Sequence, residues 1–137
     1  MSFDLDSLYV DPSRGEEGVW VDFFSGAQLK IAYSEGKKYK AALARLAKQH
    51  RLELDDSNEN SFDLIQNITA QAMAEHLLLD WKGIVIGGEE KPYTKELGRL
   101  VLSSHAKLRE FVSEKAGDPK TFSQKIIEKA KKPSSGS

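Results

Sequence analysis

The stretch DWKGIVIGGEEKPYT, residues 80–94, gathers the residue types most suggestive of ligand chemistry: three glycines, two acids, a lysine and a Pro-Tyr-Thr ending. A phosphate loop needs glycines followed by Lys and Ser/Thr at a strand-to-helix turn, so that backbone N–H groups and the lysine surround the anion. Here Gly87 and Gly88 are followed by Glu89 and Glu90, which repel phosphate, and no G-x-G-x-x-G fingerprint is present. The segment reads better as a connector. Gly83 ends a helix, Ile84-Val85-Ile86 is a short extended piece, Gly87-Gly88 supplies a turn, and Pro92 leads into a cap at Thr94.

Histidines are the next candidates. His50, His76 and His105 are far apart, and no pair has the i, i+4 spacing of a helical zinc site. Asp80, one turn after Glu75-His76, could orient the His76 imidazole for acid–base work, but a histidine on an apolar helix face is more often a core residue with a local partner. Ser61 and Ser103 lack the glycines of a nucleophile elbow. Asp55, Asp56 and Glu59 could be drawn as paired carboxylates, although acids in a polar loop are the ordinary case. Cysteine is absent, which removes disulfides, thiolate nucleophiles and cysteine zinc sites. The expectation is a protein with no catalytic residues, no cofactor and no metal, a hydrolase built around His76 being the enzymatic alternative.

At 137 residues, 39% hydrophobic and 30% charged, the chain suits one globular domain. No stretch approaches the roughly 20 apolar residues of a membrane span. The acidic N-terminus lacks the pattern of a signal peptide, so a cytosolic setting is expected. Net charge is −1, but unevenly spread. Lys37, Lys38, Lys40, Arg45, Lys48 and Arg51 form a basic block, followed at once by Glu53, Asp55, Asp56, Glu59 and Asp63. Such blocks steer association or simply face solvent. A small nucleic-acid-associated regulator using the basic 37–51 helix is an alternative function. Nucleic-acid binding is not favoured, because Tyr39 lies on the apolar stripe and no reading motif is present.

These residues must be positioned by the following elements. Residues 1–17 read as an irregular arm. Val19, Val21 and Phe23, then Leu29 and Ile31, alternate with other residues around Ser25-Gly26, which predicts a β-hairpin over 18–33 with Trp20 and Phe24 on its second face. Ser34 caps a helix over 35–53 with the stripe Tyr39, Leu43, Leu46 and Ala47. DDSNENS is a polar loop. A long helix over 62–80 places Phe62, Ile65, Thr69, Ala72, Met73, His76 and Leu77 on one face, while Leu64, Ile68 and Leu78 lie on its outer side. Thr94 caps a helix over 95–103 with Leu97, Leu100 and Val101 inward. A helix started by Ser104 covers 105–116, with Leu108, Phe111 and Val112 inward and Gly117 closing it. Asp118-Pro119 opens another over 119–131. Residues 133–137 form a tail, giving a single α+β domain over 18–132 with four to five helices and one hairpin.

The order GVWVDFFSGAQLKIAY, KKYKAALARL, AMAEHLLLDWKGI, PYTKELGRLVL and LREFVSEKA resembles the tail assembly chaperones of long-tailed, siphophage-type bacteriophages, over roughly Gly18 to Phe122. The resemblance implies a non-enzymatic protein of the host cytoplasm, absent from the mature virion. Its partners would be the tape-measure protein and also the major tail protein, with self-association as a further expectation. The residues expected to touch a partner or a second copy are Trp20, Phe24, Leu64, Ile68 and Leu78, with Lys37, Lys38, Arg45 and Lys48 aiding encounter.

Overall fold

In a computed structural model of the chain, which describes residues 1–54 and 59–123, the alternating segment near the N-terminus forms the hairpin its pattern predicts. Strands β1 (Val19–Asp22) and β2 (Gln28–Ile31) pair antiparallel, with Val19 opposite Ile31 and Val21 opposite Leu29. Leu29 and Ile31 are fully buried. The hairpin is not alone. A third strand, β3 (Leu78–Lys82), pairs antiparallel with the other edge of β2, with Trp81 opposite Leu29.

That third strand corrects the expected 62–80 helix. Helix α4 (Glu59–His76) starts three residues earlier than expected and stops at His76. The chain then turns into the sheet, and neither Asp80-Trp81 nor Gly83 ends a helix. A run such as LLLDWK fits either element locally, and the open edge of β2 decides, since an unpaired buried edge leaves backbone groups unsatisfied. Leu77 and Leu78 are both buried, and Leu78 lies on a strand of the main core rather than on the outer side of a helix.

The facing of α4 is also the reverse of the expected one at its start. Phe62 is 75% exposed and Ile65 49%, whereas Ile68 is buried and Leu64 packs with it. The inward partner is α2 (Lys37–Gln49), whose buried Ala42 and Leu46 meet Ile68 and Ala72. Ala42, not Ala47, completes the buried stripe of α2. The N-cap is Gly36 rather than Ser34, which lies before the helix and is tied by its amide to the Ala116 carbonyl. The helix breaks at His50, and α3 (Arg51–Leu54) is a separate turn.

Beyond the sheet, β4 (Val85–Ile86) and β5 (Glu89–Glu90) form a small second hairpin across Gly87 and Gly88, both at positive φ. The Thr94 hydroxyl caps α5 (Lys95–Ser104) by accepting the Leu97 N–H. Val101 and Leu102 face inward, while Leu100 is 53% exposed, against the expected facing. Ser104 is the last residue of α5, and His105 is the N-cap of α6 (Ala106–Gly117). Arg109 closes the corner by donating to the carbonyls of Leu102 and Ser103, placing a cation at the C-terminus of α5.

Asp118 caps a 3-10 turn over Pro119–Phe122, whose Phe122 is buried against Tyr33. The remainder of the expected 119–131 helix, the tail at 133–137 and most of the DDSNENS loop lie outside the described residues. The N-terminal arm holds a 3-10 turn at Leu5–Leu8 and a short helix, α1 (Pro12–Glu17), each started by an Asp side-chain cap. It is tied to the body by the Tyr33 N–H donating to the Gly15 carbonyl.

The junction between α4, β3 and α5 is held by two aromatic residues. Tyr93 sits with its hydroxyl 2.7 Å from the Ala74 carbonyl and 2.6 Å from that of Leu78. Trp81 packs edge-on against it at 4.9 Å and donates from Nε1 to the Lys91 carbonyl. Burial, with a smaller contribution from Asp80, holds the Tyr93 hydroxyl well above its ordinary pKa. Gly98 makes room for this ring, since a Cβ there would lie 2.6 Å from a ring carbon. Gly98→Ala ordinarily stabilises a helix by about 1 kcal/mol. Here it is expected to lower the unfolding free energy by about 1–3 kcal/mol through overpacking. Tyr93→Phe, which removes the one O–H shared by the Ala74 and Leu78 carbonyls, is expected to cost about 1–3 kcal/mol. Urea unfolding of both variants checks this, and a stabilised Gly98→Ala protein shows that the ring is free to move aside.

Candidate partner-binding surface

The turn of the first hairpin carries an unusual side chain outward. Ser25 takes a left-handed conformation (φ +56°) and Gly26 follows at +81°. The Phe23 N–H donates to the Ala27 carbonyl, and the Ala27 N–H to that of Phe24. This tight turn leaves Phe24 68% exposed, yet in contact with other rings. Its centroid lies 4.7 Å from that of Phe23 and 6.4 Å from that of Phe111, and Phe23 meets Phe111 edge-on at 4.8 Å.

The second hairpin stands beside this aromatic cluster. The Lys91 N–H donates to the Ile84 carbonyl and fixes its base, while the Gly87-Gly88 turn leaves Val85 62% exposed. Between the two hairpins and the start of α6 lies a groove of about 350 Å³. Phe24, Val85 and Leu108 stand on its walls, Trp81 and Val101 at its base, and Lys107 and His105 bring polarity to the rim. The lining is mostly hydrocarbon and aromatic. It offers van der Waals contact and apolar burial rather than bond-making groups, which suits a partner side-chain stripe.

Of the residues expected from the sequence to touch a partner, only Phe24 lies on this groove. Trp20 is 36% exposed on the sheet, with the Lys82 ammonium 4.1 Å above its ring, and faces a separate depression shared with Lys115 and Thr121. Leu64, Ile68 and Leu78 are taken up by packing and are not on an outer surface. Lys37, Lys38, Arg45 and Lys48 are exposed along α2, and Arg45 bridges to Glu75 of α4 at 3.2 Å. The exposed apolar residues of α4 are Phe62 and Ile65 instead. The sequence reading of Ile84-Val85-Ile86 as a short extended piece and of Leu108 as an inward residue assigned neither Val85 nor Leu108 to a partner surface, because only the packing of the two hairpins against α6 brings them together.

His76 lies in a second, polar pocket and is described by its neighbours. Burial and the cations Lys95, Lys38 and Arg45 lower its pKa, and only Glu75 acts against them. Among the described residues, no three of His, Asp and Glu come together to hold a metal ion, and no helix is long and apolar enough to cross a membrane.

Fold and surface together define a small α+β protein whose most distinctive accessible feature is an apolar groove between two hairpins. A family model described as YdaY prophage protein matches residues 34–132. The chain therefore belongs to the YdaY family of prophage proteins. The matched segment includes α2, α4, β3, the second hairpin, α5 and α6, whereas Phe23 and Phe24 precede it. No curated protein and no solved structure matches the chain.

The His76 environment sets a pH dependence. The folded protein binds the proton less readily than the unfolded chain, whose histidine titrates near about 6.5. Stability is therefore expected to fall as pH drops through about 6.5. Glu75, Lys95, Lys38 and Arg45 are the charges that couple to the ring. Urea midpoints measured at pH 7.5 and 5.5 are expected to fall further for the natural protein than for His76→Gln. Equal losses show that His76 contributes nothing.

Proposed function

We propose that this prophage protein is a non-enzymatic tail assembly chaperone. It acts in the host cytoplasm, binds the tape-measure protein, and keeps it soluble until the tail tube polymerises. The reading rests on the resemblance in motif order and on one structural observation, the apolar groove headed by the exposed Phe24. Apolar side chains gathered along one concave groove are the kind of surface on which partner side chains dock.

A long helical client presents apolar side chains at i, i+3 and i+4, and would aggregate through them when unassembled. Such a stripe fits a groove walled by Phe24, Val85 and Leu108, in the manner of an amphipathic helix docking on a hydrophobic trough. Covering one large apolar side chain yields about 1.5–3 kcal/mol, and a handful of such contacts carries a reversible complex. Reversibility matters, because the client must be released into the growing tail. The basic face of α2 contributes to encounter rate more than to affinity.

Co-expression with the tape-measure protein of the same prophage tests the proposal. The client is expected to become soluble and to co-elute with the chaperone. Phe24→Ser and Val85→Ser each remove a mostly exposed side chain and are expected to lower the unfolding midpoint only slightly, Phe24→Ser through its lost contacts with Phe23 and Phe111, so that both variants stay folded under binding conditions. Each is expected to weaken the complex about 10- to 30-fold, the range of a central interface residue. An insoluble client in the presence of the natural protein contradicts the proposal, as does full binding by the Phe24→Ser, Val85→Ser double variant.

A further inference from the structure

The polar pocket around His76 is separate from the apolar groove and shares no lining residue with it. Four helices converge on it. Glu16 comes from α1, Lys38 and Tyr39 from α2, Glu75 and His76 from the end of α4, and Lys95 from the first turn of α5. Its volume of about 250 Å³ suits a small polar group on a short stem. Ala32 and Leu79 supply apolar wall beside the charges.

The cations here are uncommitted. Among the described residues, neither Lys38 nor Lys95 has an ion-pair partner; Lys30, Lys37 and Lys82 have none either, but Lys38 and Lys95 are the two that line one pocket. Glu75 is engaged by Arg45, so it does not neutralise the two lysines. The His76 ring and the Tyr39 hydroxyl also make no hydrogen bond to a described residue, leaving both free to face a ligand. With Glu75 and Arg45 cancelling, Lys38 and Lys95 stand against Glu16 alone. The wall thus carries one net positive charge when His76 is neutral. One negative charge balances it, whereas a phosphate dianion overshoots and meets Glu16.

We infer that this pocket binds a carboxylate on a short aliphatic stem, held between the ammonium groups of Lys38 and Lys95 with His76 and Tyr39 beside it. The chemistry is that of an aspartate or glutamate side chain, or of a polypeptide C-terminus, on a partner protein. Lysine suits this task as a compact, flexible point charge that closes on one oxygen from either side. Burial, and after it the charges of the same two lysines among others, lowers the His76 pKa, as the placement of both lysines beside the ring requires. The pocket stands whether or not the apolar groove binds a tape-measure protein.

NMR titration of the full chain tests the inference, following the His76 ring and the Lys38 and Lys95 side-chain signals. The probes are N-acetyl-L-alanine for a chain terminus, N-acetyl-L-glutamic acid α-amide for a side chain, and inorganic phosphate, at constant ionic strength. At least one of the two carboxylates is expected to shift the His76 signals saturably. Apparent affinity is expected to fall at least fivefold in Lys38→Gln and in Lys95→Gln. Both lysines are exposed, and circular dichroism confirms that the variants fold. The tighter carboxylate identifies the source. Absence of a saturable shift with either carboxylate overturns the site. So does tighter binding of phosphate than of both carboxylates, or unchanged affinity in both lysine variants.

Discussion

The hydroxyl of Tyr93 is the point on which the architecture turns. At the end of α4 the chain leaves a helix and enters a sheet within two residues, between His76 and Leu78. Such a change frees carbonyls that neither element can satisfy. Tyr93 reaches across from the later connector and places its O–H between two of them, those of Ala74 and Leu78. The Trp81 indole in turn fastens the connector by its bond to the Lys91 carbonyl. The helix can therefore stop where it does, and β3 is free to complete the sheet.

Several features follow from that switch. Because β3 covers the open edge of β2, the hairpin gains the third strand that an isolated pair needs for stability in water. Because Gly98 leaves space for the Tyr93 ring, α5 packs close to the junction, and Arg109 then folds α6 back at its far end. Because β3 ends at Lys82, the next residues leave the sheet as a second small hairpin. That hairpin stands opposite the Phe23–Phe24 turn and makes one wall of the groove. The glycine-rich stretch is thus a connector, but one that builds a surface.

The two accessible surfaces have opposite physical character. The groove is apolar and exposed because both of its hairpins end in tight turns, which hold Phe24 and Val85 away from the core. The His76 pocket is polar because the ends of α1, α2, α4 and α5 meet there, and helix ends are where charged side chains find room. For the polypeptide partner proposed above, apolar burial in the first and charge in the second serve different parts. One gives area and the other gives selectivity.

Much of this was legible without the fold. Alternation in GVWVDFF and AQLKIAY fixed the first hairpin, Thr94 and Asp118-Pro119 marked their caps, and the Leu46 and Val112 stripes marked the buried sides of α2 and α6, since each signal is local. Two things were not local. Whether LLLDWK continues a helix or pairs as a strand depends on an unpaired edge some fifty residues earlier, at β2. Which side of α4 faces inward depends on where α2 lies, so Ile68 was buried and Phe62 was left outside. The sequence by itself determined the class of fold and the residue types available for contact. The tertiary structure alone decided which of them reach the surface, because exposure is a property of what packs against a residue and not of the residue or its period.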